Sequence, residues 1–274
     1  MFQKSDRPPK PAADVQNEHD GRRISIDKVG VKDIEYPIQV LDRAQKVQQT
    51  VARVSMYVNL PHQFKGTHMS RFVELLNEHS QDMSTLAIAG ILRAMCERLQ
   101  AETAHLELSF PLFVLKRAPV SGAEGLMSYR CSVRGTGGKD GDVLLESEVQ
   151  VPITALCPCS KAISDEGAHN QRGLVTVRFH QRRFVWIEEV IDIVERSASC
   201  EVYSVLKRED EKYVTEKAYA NPMFVEDVAR SVAEKLCAHD LIDWFSVEVE
   251  NQESIHAHNA YACLERGQCP DRGA

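Results

Sequence analysis

Apolar and polar residues alternate with a period of two over 24–42 (ISIDKVGVKDIEYPIQVLD) and again over 48–60 (VQQTVARVSMYVN), the pattern of half-buried strands. The period then lengthens to that of helices. Residues 70–79 set Phe72, Val73, Leu75 and Leu76 on one side, and 84–100 carries Leu86, Ile88, Ile91, Leu92, Met95 and Leu99. The second helix is apolar on most sides and is expected to be buried. Alternation returns at 104–116 and 127–134. The turn material GTGGKDGD (135–142) then leads into a long strand over 143–153.

A second cycle follows. Residues 173–180 read as a strand and 186–198 as an amphipathic helix. In 223–237, Phe224, Val228, Val232 and Leu236 recur four apart, and strands are expected over 241–251 and 256–264. The order β-β-α-α-β-β thus occurs twice without residue-level repetition, which predicts an α+β fold with antiparallel strands and helices on one face. The expected division is a first module at 24–140 and a second at 141–266. A flexible tail, rich in Pro and charge, occupies 1–23, and a short tail occupies 267–274.

Composition narrows the class of partner. The chain has 274 residues, 43% hydrophobic and 27% charged, with a net charge of −7. That acidity argues against a nucleic-acid binder held by phosphate contacts, but a small polyphosphate needs only a few local donors. No apolar run is long enough to span a membrane, and the N-terminal stretch lacks the apolar run of a signal peptide. A cytoplasmic protein is therefore expected, with its eight cysteines as thiols, ligands or nucleophiles rather than disulfides.

Four clusters carry candidate chemistry. In Leu156-Cys157-Pro158-Cys159-Ser160, an extended backbone would point both thiols to one side. Cys-x-Cys is not zinc-finger spacing, so one sulfur is read as a metal ligand and the other as facing substrate. A pair of small buried hydrophobes is the plain alternative, which His169 in the following polar loop weakens. The charge run 207–211, ending in Glu211, leads to Asn221-Pro222 and a helix whose first turn holds Glu226. Such an acid usually serves the helix dipole, yet one carboxylate can also accept two N–H bonds from a guanidine-like edge. Glu253, His256 and His258 stand together before the last strand, where paired histidines suit proton transfer or metal binding. Finally, Lys65, His68, Ser70 and Arg71 precede or open a helix and offer donors for phosphates, with Ser70 as an N-cap in the plainer reading.

Taken together, KGTHMSRF (65–72), CPCSKAIS (157–164), GAHNQRG (167–173), the segment 203–230 and NQESIHAHNAYA (251–262) resemble the GTP cyclohydrolase I family, type IB. The resemblance implies the tunnelling fold, two modules in tandem, assembling into barrels as a homotetramer with interface active sites. It implies one divalent metal per site (Zn, Mn or Fe), held by Cys157, His169 and Glu211. Cys159 then faces the purine and Glu226 grips guanine. His256 carries protons, aided by Glu253 and His258. Phosphate contact by Lys65, His68, Ser70 and Arg71 is inferred from their donors and not from the resemblance. The implied reaction converts GTP and water to formate and 7,8-dihydroneopterin triphosphate, ahead of tetrahydrofolate and 7-deazaguanosine precursors. Two rival readings are a tunnelling-fold nitrile reductase acting on a cyano-deazaguanine and a non-catalytic, metal-stabilised assembly module. The first needs a nicotinamide cofactor, for which no binding segment is seen.

Overall fold

The structure, a computed structural model, describes residues 21–139, 141 and 143–267. Its first half runs β1 (Ile26–Asp42), β2 (Lys46–Leu60), α1 (Met69–His79), α2 (Ile88–Leu99), β3 (Thr103–Arg117) and β4 (Glu124–Gly138). The second half runs β5 (Leu144–Leu156), α3 (Pro158–Ile163), β6 (Asn170–Gln181), α4 (Ile187–Glu195) and β7 (Cys200–Glu201). It then continues through α5 (Arg208–Ala220), α6 (Val225–Cys237), β8 (Ile242–Asn251) and β9 (Ala260–Arg266). All strand pairs are antiparallel and join one nine-stranded sheet in the order β1-β2-β3-β4-β5-β6-β8-β9, with β7 beside β5. The doubled β-β-α-α-β-β reading holds, with α3, β7 and α5 added to the second cycle. The expected tails fall mostly outside the described residues.

Period-two patterning makes this a two-layer structure. Val54, Met56, Leu106, Leu108, Val149, Val151, Val175, Val177, Val247 and Val249 are buried on one face, where the helices lie. The helices contribute Phe72, Leu75, Leu92, Met95, Val190, Val228 and Val232 to the same core. Burying each such side chain is worth about 1.5–3 kcal/mol. The other face carries charges linked strand to strand, as in Arg134–Glu146 at 2.7 Å and Arg178–Glu148 at 3.9 Å. Pairs this exposed contribute little stability, roughly 0–1 kcal/mol each, so the helix face holds the fold together.

Several boundaries differ from the sequence reading. β4 continues to Gly138, through residues expected to turn, because α2 lies close against it: a Cβ on Gly135 would sit 2.6 Å from Ile88 Cγ2. The α2 helix begins at Ile88 rather than Ser84. The charge run beginning at 207 enters helix α5. The last strand starts at Ala260, leaving His256 and His258 in the preceding loop. Ser70 lies inside α1, whose N-cap is His68, so the capping role does not fall to it. Cys237 is disulfide-bonded, against the all-thiol expectation.

A largely buried set of polar contacts ties the sheet to α4 and to α5. Lys116 Nζ donates to Glu195 Oε1 at 2.8 Å and to the Val202 carbonyl at 2.9 Å, and Tyr129 Oη donates to the same Glu195 oxygen at 2.8 Å. Burial raises the Glu195 carboxyl despite Lys116. On the α5 side, burial alone would raise Glu201, but Lys217 Nζ at 2.6 Å outweighs it and holds the carboxyl below its ordinary range.

Two predictions follow from these contacts. A Cβ on Gly30 would meet the Met56 carbonyl oxygen at 2.0 Å, beside the bulge where Asp33 adopts φ 56°. Backbone cannot yield as a side-chain tip can, so Gly30→Ala should cost about 1–3 kcal/mol in denaturant unfolding. A group with a depressed folded pKa stabilises above its unfolded value and loses that contribution as pH falls. Lys217→Met should therefore lower the melting temperature by about 2–4 °C at neutral pH. The deficit should shrink as acid protonates Glu201; an equal deficit at all pH values would remove the linkage.

Candidate active site

The strand β5 ends at Leu156 in a knot of hydrogen bonds. Cys157 N–H donates to the His169 carbonyl at 3.1 Å, and Met223 N–H donates to the Leu156 carbonyl at 3.1 Å. His169 N–H donates in turn to Ser160 Oγ at 3.1 Å, which closes the loop between α3 and β6. Three segments distant in sequence thus meet at one end of the sheet.

Cys157 is the N-cap of α3, with Pro158 at the first helical position, where its missing N–H costs nothing. Its Sγ accepts the Ser160 N–H at 3.5 Å. Here the structure corrects the extended reading of Cys-Pro-Cys: Cys159 lies on a helix, so the thiols do not share a side as strand neighbours would. Cys157 is half-buried and Cys159 exposed, and both are free thiols.

His169 is held through its ring. Nδ1 lies 2.9 Å from Gln171 Oε1 and 3.4 Å from Ser254 Oγ. Gln171 Nε2 donates onward to Glu253 Oε1 at 3.2 Å, and Gln252 N–H to the Arg172 carbonyl at 2.9 Å. The 252–259 loop is thereby fixed to the start of β6. Within it, the rings of His256 and His258 stack with centroids 5.1 Å apart and 15° between planes, even though the segment is not extended.

Glu226 stands exposed in the first turn of α6. The capping work there is done by Asp227, whose Oδ2 accepts the Phe224 N–H at 3.1 Å, so the dipole reading does not require Glu226. Asn221 Nδ2 donates to the Ala198 carbonyl at 2.9 Å, and with the Met223 bond it seats this turn beside Cys157.

Glu211 lies in the first turn of α5, next to a strong anchor. Asp210 is fully buried and accepts from Val120 N–H at 2.8 Å, Ser121 N–H at 2.9 Å, Ser121 Oγ at 2.5 Å and Lys207 N–H at 2.8 Å. Burial opposes its charge, but these donors outweigh it and hold the carboxyl well below its usual range. At the far end of α5, Lys161 reaches the Tyr219 carbonyl and lies 4.4 Å from its ring centroid, tying α3 to the helix. Between these anchors is a small apolar cluster of Leu156, Cys200 and Ala218, against which Ala168 and Val214 pack. Cys157 follows Leu156 and His169 follows Ala168. Glu211 sits three residues before Val214, on the same stripe of α5.

The three expected ligands are thus chain neighbours of this cluster, Glu211 one turn away from it, but their side chains do not close on a common point. Among the described residues, no group of three or more His, Cys, Asp or Glu side chains is arranged to hold a metal ion. The donor chemistry still fits a divalent ion: a helix-capping thiol, an imidazole held through Nδ1, and an exposed carboxylate.

Lys65, His68, Ser70 and Arg71 lie elsewhere. The loop after β2 and the start of α1 sit at the sheet end that carries Leu60, Gly138 and Leu144. Arg71 Nη1 donates to the Arg98 carbonyl at 3.2 Å. The length of β5 separates this end from Cys157, about 40 Å at ~3.3 Å per residue. The sequence reading missed Gln171 and Asp210. The first could have been found from its i+2 spacing to His169 on a strand, but the second was one acid in a charge run.

A family model described as type I GTP cyclohydrolase folE2 matches residues 12–262. The GTP cyclohydrolase FolE2 of Geobacter metallireducens is 57% identical over 253 residues, covering 92% of this chain and 96% of that protein. That of Magnetococcus marinus is 56% identical over 259 residues, covering 94% and 97%. Among solved structures, a hyperthermostable mutant of Bacillus sp. TB-90 urate oxidase superposes with a TM-score of 0.51 at 10% identity, covering 89% of this chain and 99% of that one. This likeness concerns the fold alone, the tunnelling fold of the urate oxidase type. By sequence, the chain belongs to the type I GTP cyclohydrolase FolE2 family.

Proposed function

We propose that this chain opens the guanine ring of GTP by hydrolysis, releasing formate and 7,8-dihydroneopterin triphosphate. Identity above half over nearly the whole length of named GTP cyclohydrolases carries the reading. Convergence of Cys157, His169, Glu226 and the Glu253 loop at one sheet end supports it. Within the family we assign the type IB form, and the product leads toward tetrahydrofolate and 7-deazaguanosine precursors.

Cys157, His169 and Glu211 are the residues that would hold one divalent ion, Zn, Mn or Fe, which when bound supplies the Lewis acidity to strengthen water as a nucleophile. Glu226 accepts the guanine N1–H and 2-amino N–H together, a pairing that adenine cannot offer. Cys159 faces the purine. His256 delivers a proton to the ring nitrogen that departs when the C8 bond breaks, and Glu253 and His258 set its surroundings.

A homotetramer with interface active sites accommodates the distant placement of the cationic loop. Lys65, His68, Ser70 and Arg71 of one chain would meet the triphosphate of a nucleotide whose base lies at another chain's Cys157. The free thiols of Cys157 and Cys159 are available for chemistry; a cytoplasmic setting is part of the proposal, although Cys237 is disulfide-bonded.

With GTP and a divalent metal, the purified chain should yield formate and a fluorescent pterin in equal amounts, and chelation should stop both until metal is restored. Formate release that survives complete chelation would overturn the metal role. NADPH consumption on a cyano-deazaguanine, without any product from GTP, would favour the reductase. Glu226→Gln should lower kcat/KM for GTP by roughly 10- to 100-fold, as loss of charge-assisted bonds implies. An unchanged value would remove Glu226 from guanine recognition.

A further inference from the structure

Gln171 joins two groups that the proposed chemistry uses, and its own atoms dictate how. Its side-chain amide has one acceptor end and one donor end. The Glu253 carboxylate 3.2 Å away can only accept, so the NH2 end must face it. The carbonyl end then faces His169 Nδ1 at 2.9 Å, and an acceptor at that distance requires hydrogen on Nδ1. A neutral imidazole with hydrogen on Nδ1 keeps its lone pair on Nε2. Glu253 thus orients the amide, and the amide selects the tautomer. The backbone allows no easy alternative, because Gln171 is fixed in β6 opposite Ala155 of β5, two residues before Cys157.

We infer that Gln171 is a positioning residue that presents His169 Nε2 to the divalent ion and locks the Glu253 loop to that ligand. The inference rests on the metal role proposed for His169. Outer partners of metal-bound histidines commonly change affinity by about 10- to 100-fold, which sets the expected scale. Gln171 also links the ligand to the loop that carries His256 and His258, so one side chain bridges the two halves of the site.

The test uses the full chain, stripped of metal and titrated with Zn²⁺ against a chromophoric chelator, for wild type, Gln171→Met and Gln171→Glu. Thermal unfolding of each metal-free form serves as the control. Gln171→Met keeps length and loses both bonds, and zinc affinity should fall about 10- to 100-fold while the metal-free melting temperature changes little. Gln171→Glu keeps the acceptor for Nδ1–H but sets a carboxylate against Glu253. Its zinc affinity should match or exceed wild type, while kcat on GTP falls as the loop is displaced. Equal zinc affinity in wild type and Gln171→Met would overturn the inference, as would a loss in Gln171→Glu as large as in Gln171→Met. A wild-type chain that binds no stoichiometric zinc would instead sink the metal reading beneath it.

Discussion

How β5 ends decides what this molecule can do. A strand that ran on past Leu156 would carry Cys157 and Cys159 away from the other clusters. Instead, Pro158 stops the ladder, α3 turns the chain, and backbone bonds from Cys157 to His169 and from Met223 to Leu156 gather three segments. Those bonds join groups far apart in sequence, and the surrounding sheet supplies the rigidity that makes them lasting. Because the backbone and not the side chains makes these links, the reactive groups are left available for chemistry.

The sheet also explains the spacing of the parts. Its strands are long, so its two ends are separate chemical neighbourhoods. One gathers a thiol, an imidazole, carboxylates and paired histidines; the other holds the cationic loop before α1. One chain cannot place a nucleotide across both, so in the proposed reaction the cationic loop comes from a second copy of the chain. The second structural demand falls on α5. Asp210 pins its start to the β3–β4 turn, and Lys161 and the Glu201–Lys217 pair hold its later turns. Glu211 is thereby carried on a helix fixed along its length rather than on a loose charged loop.

Period-two and period-3.6 patterns made the sheet and the core helices legible, since Val54, Met56, Leu92 and Val228 are where an apolar face requires them. The α5 helix was not legible: its apolar stripe is only Val214 and Ala218 amid charge, so periodicity gave no signal. α3 was missed because Cys-Pro-Cys carries no pattern of its own, and only capping geometry makes it a helix. Site residues were legible as clusters, through unusual local density of Cys, His and Glu. Their mutual placement was not, because nothing local says that Leu156 meets Met223 or that Gln171 reaches Glu253. The cationic loop shows the limit most clearly, as its residues suit phosphate but stand at the far end of the sheet.

X-ray absorption at the metal edge of the loaded, full-length chain addresses the central claim most directly. One sulfur at about 2.3 Å with nitrogen and oxygen at about 2.0–2.2 Å, and loss of that sulfur in Cys157→Ser, is the expected result. A first shell of nitrogen and oxygen alone, unchanged by Cys157→Ser, would contradict it.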